Sequence, residues 1–254
     1  MKRANKSKGF SWADIDNPFL DKIADNIKAN VAPSTAKTYF SLICALLGKA
    51  NSAGIKFPAS EYEKILQCKR SKTVRTFLTF EELEKIKAYM PANDHEKSVK
   101  TLFLIGAYTG ARQSDFKKLG EANIQPDGTI TYVSEKTETK ATIPIKPYVK
   151  ELLKEKIIPL SLVAFNDILR RICRNCGICS TVKILKGGKH QEGKKWMFVS
   201  SHTARISFCT NLYLLGCDVV TISKMAGHSD VNMTRRYIAC DTVNVGKKAM
   251  KFFR

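Results

Sequence analysis

The chain has 254 residues, 44% of them hydrophobic, with 43 lysines and arginines against 23 aspartates and glutamates, a formal charge of +20. That length can bury the core of one large domain or of a small and a medium one, and the charge predicts a polyanionic partner, nucleic acid before an anionic membrane, because no basic amphipathic helix or lipidation site accompanies it. No apolar segment follows the basic start MKRANKSKGF, and the longest apolar run, TLFLIGAY, is too short for a bilayer, so the expectation is a cytoplasmic protein, without a membrane partner, whose eight cysteines are reduced thiols.

Three helical segments open the chain. NPFLDKIADNIKAN sets Phe19, Leu20, Ile23 and Ile27 at helical spacing. APSTAKTYFSLICALLGKANSAGI has Pro33 and Ser34 at its start and Gly54 near its end, as a helix with start and stop signals should. SEYEKILQ is a shorter piece. The polar, basic and aperiodic CKRSKTVRTF reads as a linker, whose Lys69, Arg70, Lys72 and Arg75 are candidate phosphate contacts. The expected organisation is a short helical domain over 1–67, a linker over 68–78, and a second domain over 79–254 with a tail from 241.

Thr79 and Glu82 form a capping box for a helix to about Met90. DHEKSVKTLFLIGAYTG is a long helix stopped by Gly110, and ARQSDFKKL another short one. QPDGTITYVSEKTETKATIPI alternates, carries Asp-Gly and is rich in Thr, Ile and Val, which predicts a small antiparallel sheet. Three helical pieces follow, then a second hairpin around GGKH, then helices in HTARISFCTNLYLLG, DVVTISKMAG and VNMTRRYIA. The fold class is mainly α with small antiparallel β-sheets (α+β).

No GxxxxGK[ST] loop, no GxGxxG after a strand and no paired-carboxylate site is present, so neither nucleotide hydrolysis nor metal-dependent nuclease chemistry is encoded; no metal and no cofactor are expected. CRNCGIC does put Cys173, Cys176 and Cys179 at zinc-like spacing, with His190 as a fourth candidate. The apolar spacing of Ile168, Leu169, Ile172, Cys173 and Cys176 favours an amphipathic helix that uses cysteine as a small hydrophobe. What remains is a scattered set of cations around one phenol. Arg112 follows a glycine at a helix start. Lys136 and Lys140 lie on the predicted hairpin. His202 and Arg205 are three residues apart and share a helical face. His228 follows Gly227, and Tyr237 stands nine residues later, behind Arg235 and Arg236. Taken singly, each has an ordinary reading as a surface arginine, a solvated first turn, a helix cap or a packed aromatic.

Their order and spacing resemble the tyrosine recombinases, the phage integrase family. LTFEELEKI is similar to the opening of that family's catalytic domain, TGARQSD to its arginine box with Arg112 and Asp115, SEKTETKATIPI to its hairpin lysine ahead of a short strand, HTAR to its H-x-x-R, and Gly227-His228 with Tyr237 to its Gly-His and nucleophile. Lys136 is the better match for the lysine, with Lys140 on the same hairpin. The resemblance runs from Leu78 to about Ala239. The segment around STAKTYFSLICALLGKANSAGI looks like the last long helix of the family's core-binding domain, which implies that 1–67 is a DNA-binding domain of that type, shorter than usual and without room for an arm-site domain in front.

The resemblance implies a catalytic set of Arg112, Lys136, His202, Arg205, His228 and Tyr237, with Asp115 orienting a neighbouring histidine or arginine. It implies double-stranded DNA as partner, a 3′-phosphotyrosine intermediate, and four protomers acting on two duplexes. The residue types suit that chemistry. Guanidiniums match phosphate oxygens bidentately, imidazoles move protons near neutral pH, and a lysine among cations can protonate a poor leaving oxygen. The expected function is integration or excision of a phage or mobile element. The alternatives are a type IB topoisomerase-like strand relaxation and a DNA-binding regulator without catalysis.

Overall fold

A computed structural model describes residues 9–68, 74–187 and 189–239. The expectations placed on Lys69, Arg70, Lys72 and the tail from 241 lie outside these residues. The chain divides into two compact units, 1–74 with 184–191, and 75–183 with 192–254.

The first unit is helical. Asp16 caps α1 (Asn17–Asn30) by accepting from the Phe19 amide at 2.8 Å. Pro33 occupies the first position of α2 (Pro33–Ser52), where its missing N–H costs nothing and its fixed φ fits the helix. The short α3 (Tyr62–Ile65) completes a small core in which Leu20, Ala36, Phe40 and Leu47 are almost wholly buried. Residues from the tip of the second hairpin belong to this unit, and Val74 bridges to Leu185.

The second unit is built around one helix. The capping box of Thr79 and Glu82 starts α4 (Phe80–Ala88), with hydrogen bonds in both directions. This helix ends two residues before the expected Met90, because Pro91 disfavours helical backbone at the residue before it. Next, α5 (Asp94–Thr109) buries twelve of its sixteen residues and packs against α4, α6 (Gln113–Phe116), α7 (Pro147–Leu152), α8 (Leu162–Asn175) and α9 (Ser201–Leu214). Truncating a central side chain such as Phe103 or Leu104, both fully buried, should cost about 2–5 kcal/mol. Strands β1 (Thr129–Val133) and β2 (Lys140–Pro144) pair antiparallel, Ile130 opposite Ile143 and Val133 opposite Lys140. Between this sheet and the second hairpin only two helices, α7 and α8, form among the described residues. The expected third piece does not form, and residues 156–161, Pro159 among them, have no regular secondary structure.

Helix α8 contains Cys173 of the cysteine cluster. It buries Phe165, Leu169, Ile172 and Cys173 on one face, while Cys179 and His190 are exposed. Among the described residues no group of His, Cys, Asp and Glu could hold a metal ion. The second hairpin is β3 (Thr181–Lys186) with β4 (Lys189–Lys194). The chain then closes with α9, α10 (Val219–Ala226) and α11 (Val231–Arg235). No helix of the described residues is long and apolar enough to cross a membrane.

Candidate active site

Arg112, His228 and Tyr237 follow helix ends, and His202 and Arg205 lie on α9. Gly110 terminates α5 in the left-handed region at φ 68°, and a Cβ there would lie 2.4 Å from the Phe208 ring, so only glycine allows the turn that releases Arg112. Arg112 donates to the Ser134 hydroxyl at 2.6 Å and more weakly to Thr137 at 3.4 Å, both in the β1–β2 turn. Ser134 in turn donates to the buried Asp115 at 2.9 Å, and Asp115 also accepts from the Glu135 amide. Asp115 thus reaches Arg112 through Ser134, an intermediary that no local spacing pattern signals.

Arg205 extends from the core-facing side of α9 and is 1% exposed. It donates one hydrogen bond, to the Gly110 carbonyl at 2.7 Å. Burial, followed by the neighbouring Arg112, pulls its pKa down from the usual guanidinium value. His228 follows the left-handed cap Gly227 of α10 and is also buried. Its Nδ1 pairs with the Thr234 hydroxyl at 2.8 Å. Thr137 donates to the Gly227 carbonyl at 3.3 Å, so a single hydroxyl ties the hairpin turn to both Arg112 and the His228 loop.

Tyr237 lies two residues beyond α11, on the turn after it, where the sequence placed it on the helix. Its amide donates to the Thr234 carbonyl at 2.8 Å, and its carbonyl accepts from Thr210 of α9 at 3.1 Å. Its ring stacks on His228 at 4.9 Å between centroids and tilts against His202 at 5.2 Å. Two guanidiniums stand over it, Arg205 at 5.1 Å and Arg75 at 5.9 Å.

Four buried nitrogens at this place have no partner: Nη2 of Arg112, Nε and Nη2 of Arg205, and Nε2 of His228. Buried donors are almost always satisfied, and leaving a charged one unpaired costs more than leaving a neutral one. Neither arginine joins an ion pair among the described residues. Such a cluster fits an oxyanion with several acceptor oxygens. The same cations act on the imidazoles. Burial first, then Arg205 and Arg112, lowers His228 to about 3. His202 keeps an exposed edge where water screens part of the effect, and burial of the rest followed by Arg75, Arg205 and Arg112 lowers it to about 4.

The structure therefore brings together Arg112, His202, Arg205, His228 and Tyr237, with Asp115 one hydroxyl behind. Lys136 stands exposed on the β1–β2 turn, adjacent to Thr137 and two residues from Ser134. Lys140 opens β2 and is exposed as well. Sequence reading passed over Ser134, Thr137, Thr210 and Thr234, whose hydroxyls hold this arrangement.

Residues 76–243 match the model of the phage integrase family. The chain belongs to that family. The integrase of Escherichia phage 186 is 22% identical over 208 residues, 82% of this chain and 56% of that protein. A Pseudomonas phage Pf1 protein is 24% identical over 211 residues, 82% of this chain and 58% of that one. The chain thus spans a little over half the length of these relatives. The fold matches the XerH site-specific recombinase bound to its palindromic difH substrate, with TM-score 0.70 and 17% identity over 100% of this chain and 75% of that one. A lambda integrase dimer bound to a core site matches with TM-score 0.69 and 18% identity, over 95% of this chain and 84% of that one.

Proposed function

We propose that this phage integrase-family chain is a site-specific DNA recombinase that cleaves and rejoins double-stranded DNA through a 3′-phosphotyrosine, for integration or excision of a phage or mobile element. The observation that carries this reading is the set of four unpaired buried nitrogens of Arg112, Arg205 and His228, the last two residues lying against the Tyr237 ring. A phosphodiester seated there would receive hydrogen bonds from Arg112, Arg205 and His228 on its non-bridging oxygens. These donors gain strength as negative charge builds in the pentavalent transition state.

In the cleaving step the Tyr237 Oη–H bond breaks as Oη bonds to phosphorus, and the phenolic proton passes to a neighbouring imidazole. The bond from phosphorus to the 5′ oxygen breaks, and that oxygen takes a proton, supplied by Lys136 in this reading. The new ester retains the energy of the old one, so a free 5′ hydroxyl can reverse the step and reseal a strand. His228 serves as a donor, with the Thr234 hydroxyl directed at Nδ1 and the proton on Nε2. The arrangement gives no role to Arg235, whose guanidinium reaches Asn232 of its own helix at 3.4 Å. The lambda integrase and XerH neighbours are complexes with DNA, one of them a dimer on its site. Together with the family resemblance they support duplex DNA as partner, and four protomers on two duplexes as the proposed working assembly.

The test is covalent capture. A pool of nicked duplexes of randomised sequence, which lose the short leaving strand on cleavage, should yield a protein–DNA adduct with the wild-type chain and none with Tyr237→Phe. An adduct that persists in Tyr237→Phe removes this tyrosine from the reaction.

A further inference from the structure

Arg75, expected from the sequence to touch phosphate, is the first residue of the second unit, and its exposed guanidinium lies against two reactive groups at once. Nη1 is 3.3 Å from Nε2 of His202, and the guanidinium carbon is 5.9 Å from the centre of the Tyr237 ring. A guanidinium offers five N–H donors and no acceptor. The contact with His202 therefore requires a lone pair on Nε2, which puts the imidazole proton on Nδ1 and leaves the ring neutral. His228 is engaged at its other nitrogen, Nδ1 pairing with the Thr234 hydroxyl at 2.8 Å and Nε2 left without a partner. The two imidazoles that flank the phenol thus carry different hydrogen-bonding faces toward it.

We propose that Arg75 is a positioning residue for DNA cleavage: it holds His202 as a neutral Nε2 acceptor beside Tyr237, so that this imidazole receives the phenolic proton and His228 remains a donor to phosphate. The proposal rests on the recombinase reading. On attack, the Tyr237 Oη–H bond breaks and its proton goes to Nε2 of His202. The Oη–P bond forms, the P–O5′ bond breaks, and the leaving oxygen is protonated by Lys136. Nε2 must be free at that moment, and a backbone phosphate is the stronger partner that draws the guanidinium off it. The groups that face His202 are Arg75 from the preceding segment, Arg205 from its own helix, Arg112 from the α5–α6 junction and the phenol of Tyr237. All three charges oppose protonation of the ring, and Arg75 stands first among them after burial.

The experiment compares full-length wild type, Arg75→Ala and Arg75→Lys by two readouts. Imidazole ¹⁵N NMR follows His202 from pH 8 to 5, and single-turnover adduct formation on the nicked pool at saturating DNA is measured over the same range. In wild type Nε2 should report as unprotonated and His202 should not titrate above pH 5. In Arg75→Ala its titration should move up toward the ordinary histidine value. Cleavage should fall about ten- to a hundredfold and acquire an acid limb that tracks that titration. Arg75→Lys keeps the charge, so it should keep the low titration and recover most of the rate. The proposal is overturned if His202 titrates at an unchanged pH in Arg75→Ala. It is equally overturned if that variant loses only DNA affinity, with rate and pH profile intact at saturation, which makes Arg75 an ordinary backbone contact. A wild-type protein that forms no Tyr237-dependent adduct sinks the recombinase reading and the proton-transfer step together. The NMR arm separately decides whether Arg75 sets the proton position on His202.

Discussion

Arg205 and Lys136 carry the same charge toward the same proposed phosphate, yet they are presented in opposite ways. Arg205 is 1% exposed, fixed by the Gly110 carbonyl, and left with two unpaired nitrogens in the interior of the second unit. Lys136 projects from an exposed turn whose neighbours Ser134 and Thr137 are the residues that grip Arg112. A buried cation without a partner is expensive, whereas an exposed lysine is cheap. The contrast separates two chemical jobs. Transition-state charge is best met by donors that need no reorganisation when it appears. A proton donor has only to reach the leaving oxygen once the substrate is seated.

Removing the buried cation should produce the largest effect among the cationic residues. Arg205→Met is expected to lower the adduct-forming rate by about 10³, at the upper end for loss of a preorganised donor. The same protein should melt at or above the wild-type temperature, because an uncompensated buried charge is exchanged for packed apolar volume. Calorimetry beside single-turnover kinetics checks both. A variant that is slow and also much less stable would show that the guanidinium is a structural strut, and the contrast with Lys136 would collapse.

Lys136→Ala comes next, with an expected loss of about 10² and no change in melting. Its signature is chemical. A substrate with sulfur in place of the bridging 5′ oxygen needs no proton to leave, so it should restore Lys136→Ala and leave Arg205→Met slow. Lys140→Ala should stay within about threefold of wild type on both substrates. If the sulfur substrate rescues Lys140→Ala instead, the acid is the lysine that opens β2.

How much of this was open to the sequence follows from how far apart the cooperating residues lie. His202 and Arg205 share a helical turn, and Gly227 and His228 are adjacent, so spacing exposed them. The elements α1, α2, α4 and α5 were legible from periodicity in α1, start and stop residues in α2, the capping box of α4 and the Gly110 stop of α5, since those signals act within a few positions. Ser134 is 19 residues from Asp115 and 22 from Arg112, and Thr210 is 27 from Tyr237. Common hydroxyl residues at such separations carry no local signal, and only the fold makes them neighbours. The same reason moved Tyr237 off its expected helix. Its backbone is held by Thr210 and Thr234 in a turn, which local propensity for a helix over VNMTRRYIA does not foresee. Lost burial partners are just as invisible, and the unpaired nitrogens of Arg112, Arg205 and His228 are the strongest functional observation in the molecule.

Ser134→Ala tests that hidden support. Arg112 would keep its charge but lose its 2.6 Å anchor and its link to Asp115. One such hydrogen bond to a charged group contributes about 1.5–3 kcal/mol. If only part of that is felt in the transition state, the adduct-forming rate drops about tenfold. Ser134→Thr retains a hydroxyl and should recover most of it. Equal losses in both variants would mean that the β1–β2 turn, and not the hydroxyl, sets the arginine.

The smallest effect on rate is one that should be absent. His228, lowered to about 3 by burial and by Arg205 and Arg112, stays neutral across the working range. Cleavage by the wild type should therefore show no loss attributable to this imidazole as pH falls from 7.5 through 6.5 to 5.5. Stability behaves differently. Between its folded value and the ordinary 6.5, His228 binds a proton in the unfolded chain and not in the folded one, so stability from this group is complete above 6.5 and declines as pH falls below it. His202, lowered to about 4, acts in the same direction. Melting curves at pH 7.5, 6.5 and 5.5 should step downward, and His228→Gln, which cannot titrate, should flatten part of the decline. A wild-type melting temperature that holds constant over this interval would mean that both imidazoles titrate in the folded protein as they do in the unfolded chain. His228 would then take up a proton below 6.5 and add a third cation beside Arg112 and Arg205, in place of the neutral ring expected here.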